Sequence, residues 1–295
     1  MPALGDDARA KVNLTLRVVG RRVDGYHDLE SVVAFCDCAD RLTLKGGTGL
    51  SLVTKGPRAP DCGESSDNLV LKAARLLGER VAGLRLGEFT LDKVLPVAAG
   101  IGGGSADAAA ALRLLARANK LELDDPRLIE VAQLTGADVP VCLSSRACVM
   151  TGVGETLLPL GLPKMPCVLV NPCVPVATSD VFAELGLRHG ELLVGATDVI
   201  LYDPAWPEAG ASLDAWIGVL ADIGNDLEAP AMRIQPVIGD VLDALRDTAG
   251  ARLARMSGSG ATCFAIFDGD TEAQRAAQAI QLKHPLWWVH AGALS

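Results

Sequence analysis

The 295-residue sequence lacks the basic runs with which proteins hold a nucleic-acid backbone. Its longest run of lysine or arginine is the pair Arg21 and Arg22, and its 36 acidic residues outnumber its 27 basic ones, which gives a formal net charge of −9 at pH 7. Proteins that neutralise phosphates along DNA or RNA concentrate positive charge instead. The sequence therefore predicts a small-molecule ligand and no nucleic-acid partner.

An apolar run of membrane-spanning length is also missing, although 49% of the residues are hydrophobic. The first residues, MPALGDDARAKVNL, carry acids where a signal peptide carries bases. We therefore expect a cytoplasmic protein with no membrane partner. Aromatic residues make up only 4% of the chain, and protein interfaces are rich in them, so we expect a monomer or a weak homodimer.

The eight cysteines lack the spacing of a metal site along the chain. No two of them form a CxxC pair, and no histidine lies close to any of them in sequence. Cys36 and Cys38 alternate as residues of a strand do, and they are too close together for an ordinary zinc knuckle. We therefore expect reduced thiols in the core and no structural metal.

Glycine, in contrast, is concentrated in the stretch AAGIGGGSADAAAAL, residues 98–112, where it fills four of five consecutive positions. Glycine reaches backbone angles that other residues avoid and lets a partner approach the main chain closely. The alanines and leucines that follow favour a helix, which we expect to start near Ser105. Because a helix N-terminus has unpaired N–H groups and a positive dipole end, this stretch predicts phosphate binding. A glycine turn that packs closely on a neighbouring element is the alternative.

Two well-known phosphate loops do not fit this stretch. A Walker loop ends in GK[ST], and that tripeptide is absent from the sequence. A dinucleotide-binding fingerprint needs a glycine where Ser105 stands and an uninterrupted strand before the loop, whereas Pro96 interrupts the strand-like segment FTLDKVLPV. A dehydrogenase is therefore a poor interpretation.

Periodicity along the rest of the chain predicts a mixed α/β protein. Apolar residues at helical spacing predict helices over residues 67–86, 126–134, 179–187, 212–223 and 237–249. Alternation and short apolar runs predict strands over residues 12–19, 29–44, 139–150 and 167–172, with a further strand after the second glycine loop, MSGSGATCFAIF, residues 256–267. Prolines become frequent after Gly152, which favours a domain boundary near residue 151.

Three separated stretches together resemble the three motifs of the GHMP kinases, the family named for galactokinase, homoserine kinase, mevalonate kinase and phosphomevalonate kinase. They are AKVNLTLRVVGRRVDGYHDL near the start, LPVAAGIGGGSADAAAAL in the middle and MSGSGATCFAIF near the end, and the resemblance covers nearly the whole chain in consistent order. It implies an α/β (α+β) fold in two lobes, with ATP and substrate in the cleft between them. The implied domains are an ATP-binding domain over residues 1–150 and a substrate-side domain over residues 151–295.

The segments KVNL, DGYH, DNLVLKAARLL and GADVP are similar to those GHMP kinases that phosphorylate a cytidine-diphosphate-linked methylerythritol at its 2-hydroxyl, in the non-mevalonate route to isoprenoids. This resemblance implies ATP and Mg²⁺ as cofactors. Two other interpretations remain open. The chain could be a GHMP kinase for a sugar, homoserine or mevalonate derivative, or a ligand sensor that has kept the fold and lost turnover.

The resemblance also implies which residues act on ATP and on the acceptor hydroxyl. Asp138 would orient the hydroxyl and accept its proton, and Lys11 would hold the alcohol and offset negative charge on the transferring group. Without the family, Asp138 is a turn or cap residue and Lys11 an exposed lysine. ATP phosphates would lie on the loop formed by Pro96, Val97, Ala98, Ala99, Gly100, Ile101, Gly102, Gly103, Gly104, Ser105 and Ala106. Further nucleotide contacts would come from Asn68 and Lys93.

Substrate contacts are implied for Asn13, Tyr26, His27, Thr178, Phe182, Gly258 and Gly260. His27 would read the cytosine edge, and Phe182 would stack on the base; a hairpin cap and a core aromatic are the respective alternatives. The family often has more glycine at positions 98 and 99, so we expect Ala98 and Ala99 to take ordinary backbone angles. The magnesium ligands remain unknown, with Ser105 the only candidate.

Overall fold

The computed structural model describes residues 3–47, 49–63, 67–193 and 206–295. The chain forms two compact units. The first comprises Met1–Lys11, Cys38–Val97 and Gly102–Ser145, and the second comprises Val12–Asp37, Ala98–Ile101 and Arg146–Ser295. This division differs from a single cut at residue 150, because residues 12–37 group with the C-terminal half of the chain.

Strands and helices occur in groups along the described residues. The strands are β1 (Leu4–Asn13), β2 (Arg17–Arg21), β3 (His27–Gly46), β4 (Leu50–Lys55), β5 (Gly87–Asp92), β6 (Cys148–Gly152), β7 (Thr156–Pro159), β8 (Met165–Asn171), β9 (Ala251–Met256), β10 (Cys263–Phe267) and β11 (Trp288–Leu294). The helices are α1 (Leu69–Arg80), α2 (Gly103–Asn119), α3 (Pro126–Thr135), α4 (Val139–Ser144), α5 (Thr178–Leu185), α6 (Leu213–Ala221), α7 (Glu228–Ile234), α8 (Val237–Arg246) and α9 (Asp270–Lys283). A 3₁₀ turn covers Ala59–Cys62.

The first unit is organised around the buried helix α2. The alanine and leucine side chains of α2 are buried on nearly every side of the helix. Helix α2 is therefore the central helix, and α1, α3 and α4 pack around it. In the sheet of this unit, β4 runs parallel to β5, and β5 runs antiparallel to the last part of β3, with Arg41 opposite Asp92. A helix that is apolar on nearly all faces is expected only where other elements cover it.

The second unit contains an antiparallel ladder in which β8 lies between β10 and β11, and β9 lies beside β10. Strand β8 is buried along its whole length, as its uninterrupted apolar sequence predicts for a central strand. Its core includes the following side chains from β8, α8, β10 and α9: Val168, Val170, Val241, Leu242, Phe267 and Ile280. In the same unit, β2 and β6 each pair with the first half of β3.

Most predicted elements are confirmed. The single strand predicted over residues 12–19 is wrong, because β1 ends at Asn13 and β2 begins only at Arg17. Two further predictions need correction. Residues 139–150 are not one strand: α4 takes Val139–Ser144, and β6 begins only at Cys148. Pro140 in the first turn of α4 favours a helix start, whereas a short apolar run does not by itself distinguish a buried helix from a strand. The second correction concerns α2, which starts at Gly103 rather than near Ser105. Among the described residues, none of the helices is both long and apolar enough to cross a membrane.

Candidate active site

The two residues that the motifs single out for chemistry form an ion pair in the first unit. Lys11 Nζ lies 2.9 Å from Asp138 Oδ1. The Lys11 side chain is only 5% exposed, whereas that of Asp138 is 35% exposed. The Lys11 side chain is therefore almost completely buried, while part of the Asp138 carboxylate remains exposed to solvent.

Asp138 lies at the N-cap of α4 and yet makes no side-chain cap hydrogen bond. Aspartate at this position ordinarily accepts a bond from a backbone N–H two or three residues on, which is the interpretation that its sequence context favours. Asp125 does so at the start of α3, where it accepts a bond from Arg127 N. The Asp138 carboxylate instead faces Lys11, so the carboxylate can have a role other than helix capping.

The glycine-rich loop brings its backbone against Lys11. Gly102 takes φ +62° at the N-cap of α2, and a Cβ there would lie 3.2 Å from Lys11 Cβ. The next three N–H groups, of Gly103, Gly104 and Ser105, have no acceptor within the helix, and they sit at its positive dipole end. Ser105 lies in the first turn, half-buried. A buried ammonium and a helix N-terminus thus meet at one place, which suits an anion.

Residues 98–101 of the same loop pack in the second unit on the backbone of the second glycine loop. Gly100 O accepts a bond from Ser257 Oγ at 2.9 Å, and Thr262 N donates to Ala99 O at 3.1 Å. Gly100 takes φ +74°, and a Cβ there would collide with backbone atoms of Ser257 and Gly260. The expectation for Ala98 is wrong, since this alanine takes φ +51° in the left-handed region.

Lys93 lies in a buried cluster of charges in the first unit. Its Nζ is 2.6 Å from Asp40 Oδ2 and 2.6 Å from Asp107 Oδ2, and all three side chains are at most 4% exposed. Asp40 Oδ1 in turn accepts bonds from the backbone N–H groups of Val94 and Leu95, where the glycine-rich loop begins. The prediction that Lys93 contacts the nucleotide stays a prediction, and in the structure its ammonium holds two acids.

The charges of this cluster affect one another's titration. Burial by itself would lower the pKa of Lys93, but the Asp107 and Asp40 carboxylates together raise it. Burial raises the pKa of Asp107 to about 7, against the opposing effect of Lys93. Asp107 Oδ1 is buried and makes no hydrogen bond within the described part of the chain. Sequence reasoning missed Asp40 and Asp107, although Asp107 stands two residues after Ser105 in the phosphate-loop motif.

Asn13 and Asn68 are placed differently. Asn68 is the N-cap of α1, where its side chain accepts a bond from Val70 N at 2.9 Å. Asn13 is buried in the second unit, where its backbone N–H donates to Ser257 Oγ and its Nδ2 donates to Ser31 Oγ. Asn13 Oδ1 is buried without a hydrogen-bond partner among the described residues. It is therefore an acceptor that a ligand donor could satisfy.

His27 and Phe182 are brought together in the second unit. Their rings stack with centroids 4.3 Å apart and planes 20° apart. Burial lowers the pKa of His27, with smaller contributions from the charges of Arg21 and His189, so the ring is neutral near pH 7. His27 Nε2 is buried and has no hydrogen-bond partner in the described segments. Tyr26, the preceding residue, is 62% exposed.

The other residues implied by the resemblance lie on α5 and the second glycine loop. Thr178 Oγ1 is 2.8 Å from Ser259 Oγ, so α5 and this loop are joined by a hydroxyl pair in the second unit. Gly258 and Gly260 take φ +58° and φ +87°, which explains the need for glycine at both positions. Sequence reasoning had not singled out Ser259.

Comparison with protein families supports the motifs. The model of the GHMP kinases N terminal domain matches residues 68–146, and the model GHMP kinases C terminal matches residues 209–285. Among curated relatives, the 4-diphosphocytidyl-2-C-methyl-D-erythritol kinase of Bradyrhizobium diazoefficiens is 72% identical over 100% of this chain and 99% of that protein. The enzyme of the same name from Rhodopseudomonas palustris is 70% identical over 99% of this chain and 95% of that protein.

Solved structures give the same result at lower identity. A crystal structure of 4-(cytidine 5′-diphospho)-2C-methyl-D-erythritol kinase is 34% identical, with a TM-score of 0.77, and the match covers 99% of both chains. Homoserine kinase from Cytophaga hutchinsonii is 19% identical, with a TM-score of 0.72 over 99% of this chain and 95% of that one. At that identity the second match shows the fold alone.

Proposed function

This chain belongs to the GHMP kinase family, and we propose that it transfers the γ-phosphoryl group of ATP to the 2-hydroxyl of 4-diphosphocytidyl-2-C-methyl-D-erythritol. Relatives that carry this enzyme name match over nearly the full length at about 70% identity, which supports this acceptor over a sugar, homoserine or mevalonate. The products are ADP and the 2-phosphate of the acceptor.

One observation carries the proposal: the Lys11–Asp138 pair beside the N-terminus of α2. The exposed side of the Asp138 carboxylate can accept a hydrogen bond from the acceptor hydroxyl and take up its proton. Lys11 can stabilise the negative charge on the alcohol oxygen and the transferring phosphoryl group. In phosphoryl transfer, alignment and electrostatics supply most of the rate enhancement, so the fixed geometry of this pair is its main contribution.

The first turn of α2 suits the phosphates of ATP. Its free N–H groups and its dipole favour negative charge, and Lys11 adds a full positive charge beside Gly102. The Ser105 hydroxyl is a suitable ligand for Mg²⁺, a hard cation that binds few protein oxygens and keeps several waters. When bound, Mg²⁺ would neutralise phosphate charge; the protein residues align the phosphates and the acceptor.

His27 and Phe182 suit a nucleobase, because one offers an unpartnered ring nitrogen and the other an aromatic face. We expect Phe182→Ala to raise the KM for the cytidine substrate while it leaves the KM for ATP and the kcat nearly unchanged. Removal of base–aromatic stacking costs about 1–3 kcal/mol, which corresponds to an increase of roughly 5- to 150-fold. Phe35, a fully buried phenylalanine of the same unit's strand β3, supplies the contrasting variant, because Phe35→Leu should change stability and not this KM.

The decisive experiment is a coupled ADP-release assay with Mg-ATP and four acceptors in parallel. The acceptors are 4-diphosphocytidyl-2-C-methyl-D-erythritol, mevalonate, homoserine and galactose. We expect turnover only with the first, and its loss in Asp138→Ala. Turnover confined to another acceptor would keep the family and refute the proposed substrate. ATP binding without ADP formation in the presence of any of the four acceptors would identify a ligand sensor.

A further inference from the structure

A second group of chemically reactive side chains, which shares no residue with the proposed active site, lies where β3 meets β11. Strand β11 pairs with β3 at a single registered position, Leu294 opposite Cys36, and continues on its other side along β8. Near that position, Cys36 Sγ lies 3.3 Å from Asp37 Oδ1, and His290 Nε2 lies 3.0 Å from the same oxygen. Three atoms of metal-ligand type thus converge on one point.

A ring nitrogen of His290 also lies within 4.8 Å of Cys36 Sγ. The set therefore comprises one thiol, one imidazole and one carboxylate, all in the second unit. Cys36 is fully buried.

These separations are close to those around a tetrahedral metal ion. Bonds of about 2.3 Å to sulfur and about 2.0–2.2 Å to nitrogen or oxygen place sulfur atoms roughly 3.8 Å apart, sulfur and oxygen roughly 3.6 Å apart, and oxygen and nitrogen roughly 3.4 Å apart. The observed 3.3 Å from Cys36 Sγ to Asp37 Oδ1 and 3.0 Å from Asp37 Oδ1 to His290 Nε2 need shifts of only a few tenths of an ångström.

Space and access are also provided. Gly292 stands on β11 two residues from His290, and a Cβ at this position would collide with His290 Nε2 and Asp37 Oδ1. The glycine therefore leaves open the place where the ligand atoms converge. The side chains of His290 and Asp37 are 31% and 57% exposed, so an ion can reach the buried Cys36 sulfur past them.

We propose that Cys36, Asp37 and His290 bind one thiophilic cation of the Zn²⁺ type. Thiolate and imidazole ligands select such cations over Mg²⁺, which prefers oxygen ligands. The site is distinct from any magnesium bound with ATP. It revises the expectation of no structural metal, which considered only ligands close together along the chain, whereas His290 lies 253 residues from Asp37.

Bound Zn²⁺ would clip β11 to β3 where the strands share one registered pair. Because metal binds the folded chain at a preformed site, the melting temperature should rise with added Zn²⁺. Ligand thiols lose protons on binding, so the protein should release protons as it takes up the metal.

The test uses the full chain, reduced, stripped with a chelator and kept in excess Mg²⁺ so that oxygen-rich sites are filled. Zn²⁺ is titrated against a chromophoric chelator, and Co²⁺ is used in parallel because thiolate ligands give it a charge-transfer absorption band. We expect one equivalent of Zn²⁺ and a thiolate–cobalt band. Cys36→Ser should abolish both, and His290→Gln and Gly292→Ala should each weaken Zn²⁺ binding at least about tenfold.

Cys173→Ser is the matched control, because Cys173 is an exposed thiol elsewhere in the second unit, and binding should be unchanged. If Cys36→Ser fails to fold, His290→Gln and Gly292→Ala carry the test, since both positions are at the rim of the site. Absence of Zn²⁺ binding by the reduced wild-type chain would overturn the proposal. Wild-type affinity in both rim variants, or loss of binding in Cys173→Ser, would do so as well.

Discussion

Lys11 and Lys93 are two buried lysines of the same unit, and the structure surrounds them differently. Lys93 has two carboxylate partners, Asp40 and Asp107, and all three side chains are almost completely buried. Lys11 pairs with one carboxylate in the described part of the chain, that of Asp138, which is about one-third exposed. A buried ammonium between two carboxylates has its charge fully compensated and serves to hold backbone in place. An ion pair whose carboxylate is partly exposed can still bind a substrate group. Burial of a lysine therefore does not by itself identify a catalytic residue.

The largest effect should come from the open pair. Asp138→Asn keeps the shape of the side chain but removes the charge and the proton acceptor, so kcat should fall about 10²- to 10⁴-fold while the KM for ATP changes little. Steady-state kinetics with the cytidine substrate measures both constants. Asp125→Asn is the matched control, since Asp125 is also an N-cap aspartate, and its kcat should stay at the wild-type level. Near-normal turnover of Asp138→Asn would remove Asp138 from the mechanism.

A substitution in the buried cluster of Lys93, Asp40 and Asp107 should lower the stability of the protein. Lys93→Met leaves two buried carboxylates without a cation, and breaking a buried pair in this way costs about 3–5 kcal/mol of the free energy of unfolding. Urea unfolding measures the loss. Lys55→Met provides the comparison, because Lys55 pairs with Asp92 at 3.4 Å in an exposed position, where an ion pair contributes about 1 kcal/mol or less. Equal effects of the two changes would contradict the distinction drawn here.

A smaller effect should appear in the pH dependence of stability. In the folded chain the pKa of Asp107 is about 7, raised from its ordinary 3.8, so the folded state keeps a proton that the unfolded chain releases between these values. The contribution of this group is fully present below about pH 4 and is lost as the pH rises toward 7. The side chain of the Asp107→Asn variant cannot ionise, so the urea midpoint of this variant should fall less than that of the wild type between about pH 4 and 7. Parallel pH profiles for the two proteins would refute the assignment.

The smallest effect concerns the loop that connects Lys93 to the glycines beside Lys11. Ala98 takes φ +51°, which costs an L-residue about 1–2 kcal/mol, whereas glycine avoids this cost but adds about 0.4–1 kcal/mol of entropy to the unfolded state. Ala98→Gly should therefore raise the free energy of unfolding by up to about 1 kcal/mol. Ala99→Gly should lower it by a similar amount, because the structure does not place Ala99 at positive φ. A loss of stability in Ala98→Gly would count against the left-handed conformation.

Sequence patterns predicted the parts of the fold that local chemistry determines. The glycines and alanines of residues 98–112 predicted a tight loop before a helix, and α2 follows that loop. Strand alternation over residues 29–44 predicted β3 almost to its ends. The strand predicted for the apolar run after Asp138 is wrong, because a run this short is compatible with strand or helix, and Pro140 favours the first turn of a helix.

Long-range side-chain pairing was beyond the reach of these patterns. Lys93 stands 53 residues from Asp40, and nothing in either segment indicates that they meet. The resemblance selected Lys11 and Asp138, but their 2.9 Å separation and the uncapped position of Asp138 come from the fold. In the same way, Asp37 and His290 are neighbours only because β11 returns to β3.

The interleaving of the two units also determines when the second unit can form during synthesis. Asn13 N bonds to Ser257 Oγ across 244 residues, and Cys36 is registered opposite Leu294 at the far end of the chain. A ribosome that has released residues 12–37 must therefore still add Ser257 and Leu294 before these residues find their partners. Contacts this distant form slowly, because a long chain loop must close first. The segment that carries Asn13 and Cys36 therefore emerges long before its partners do.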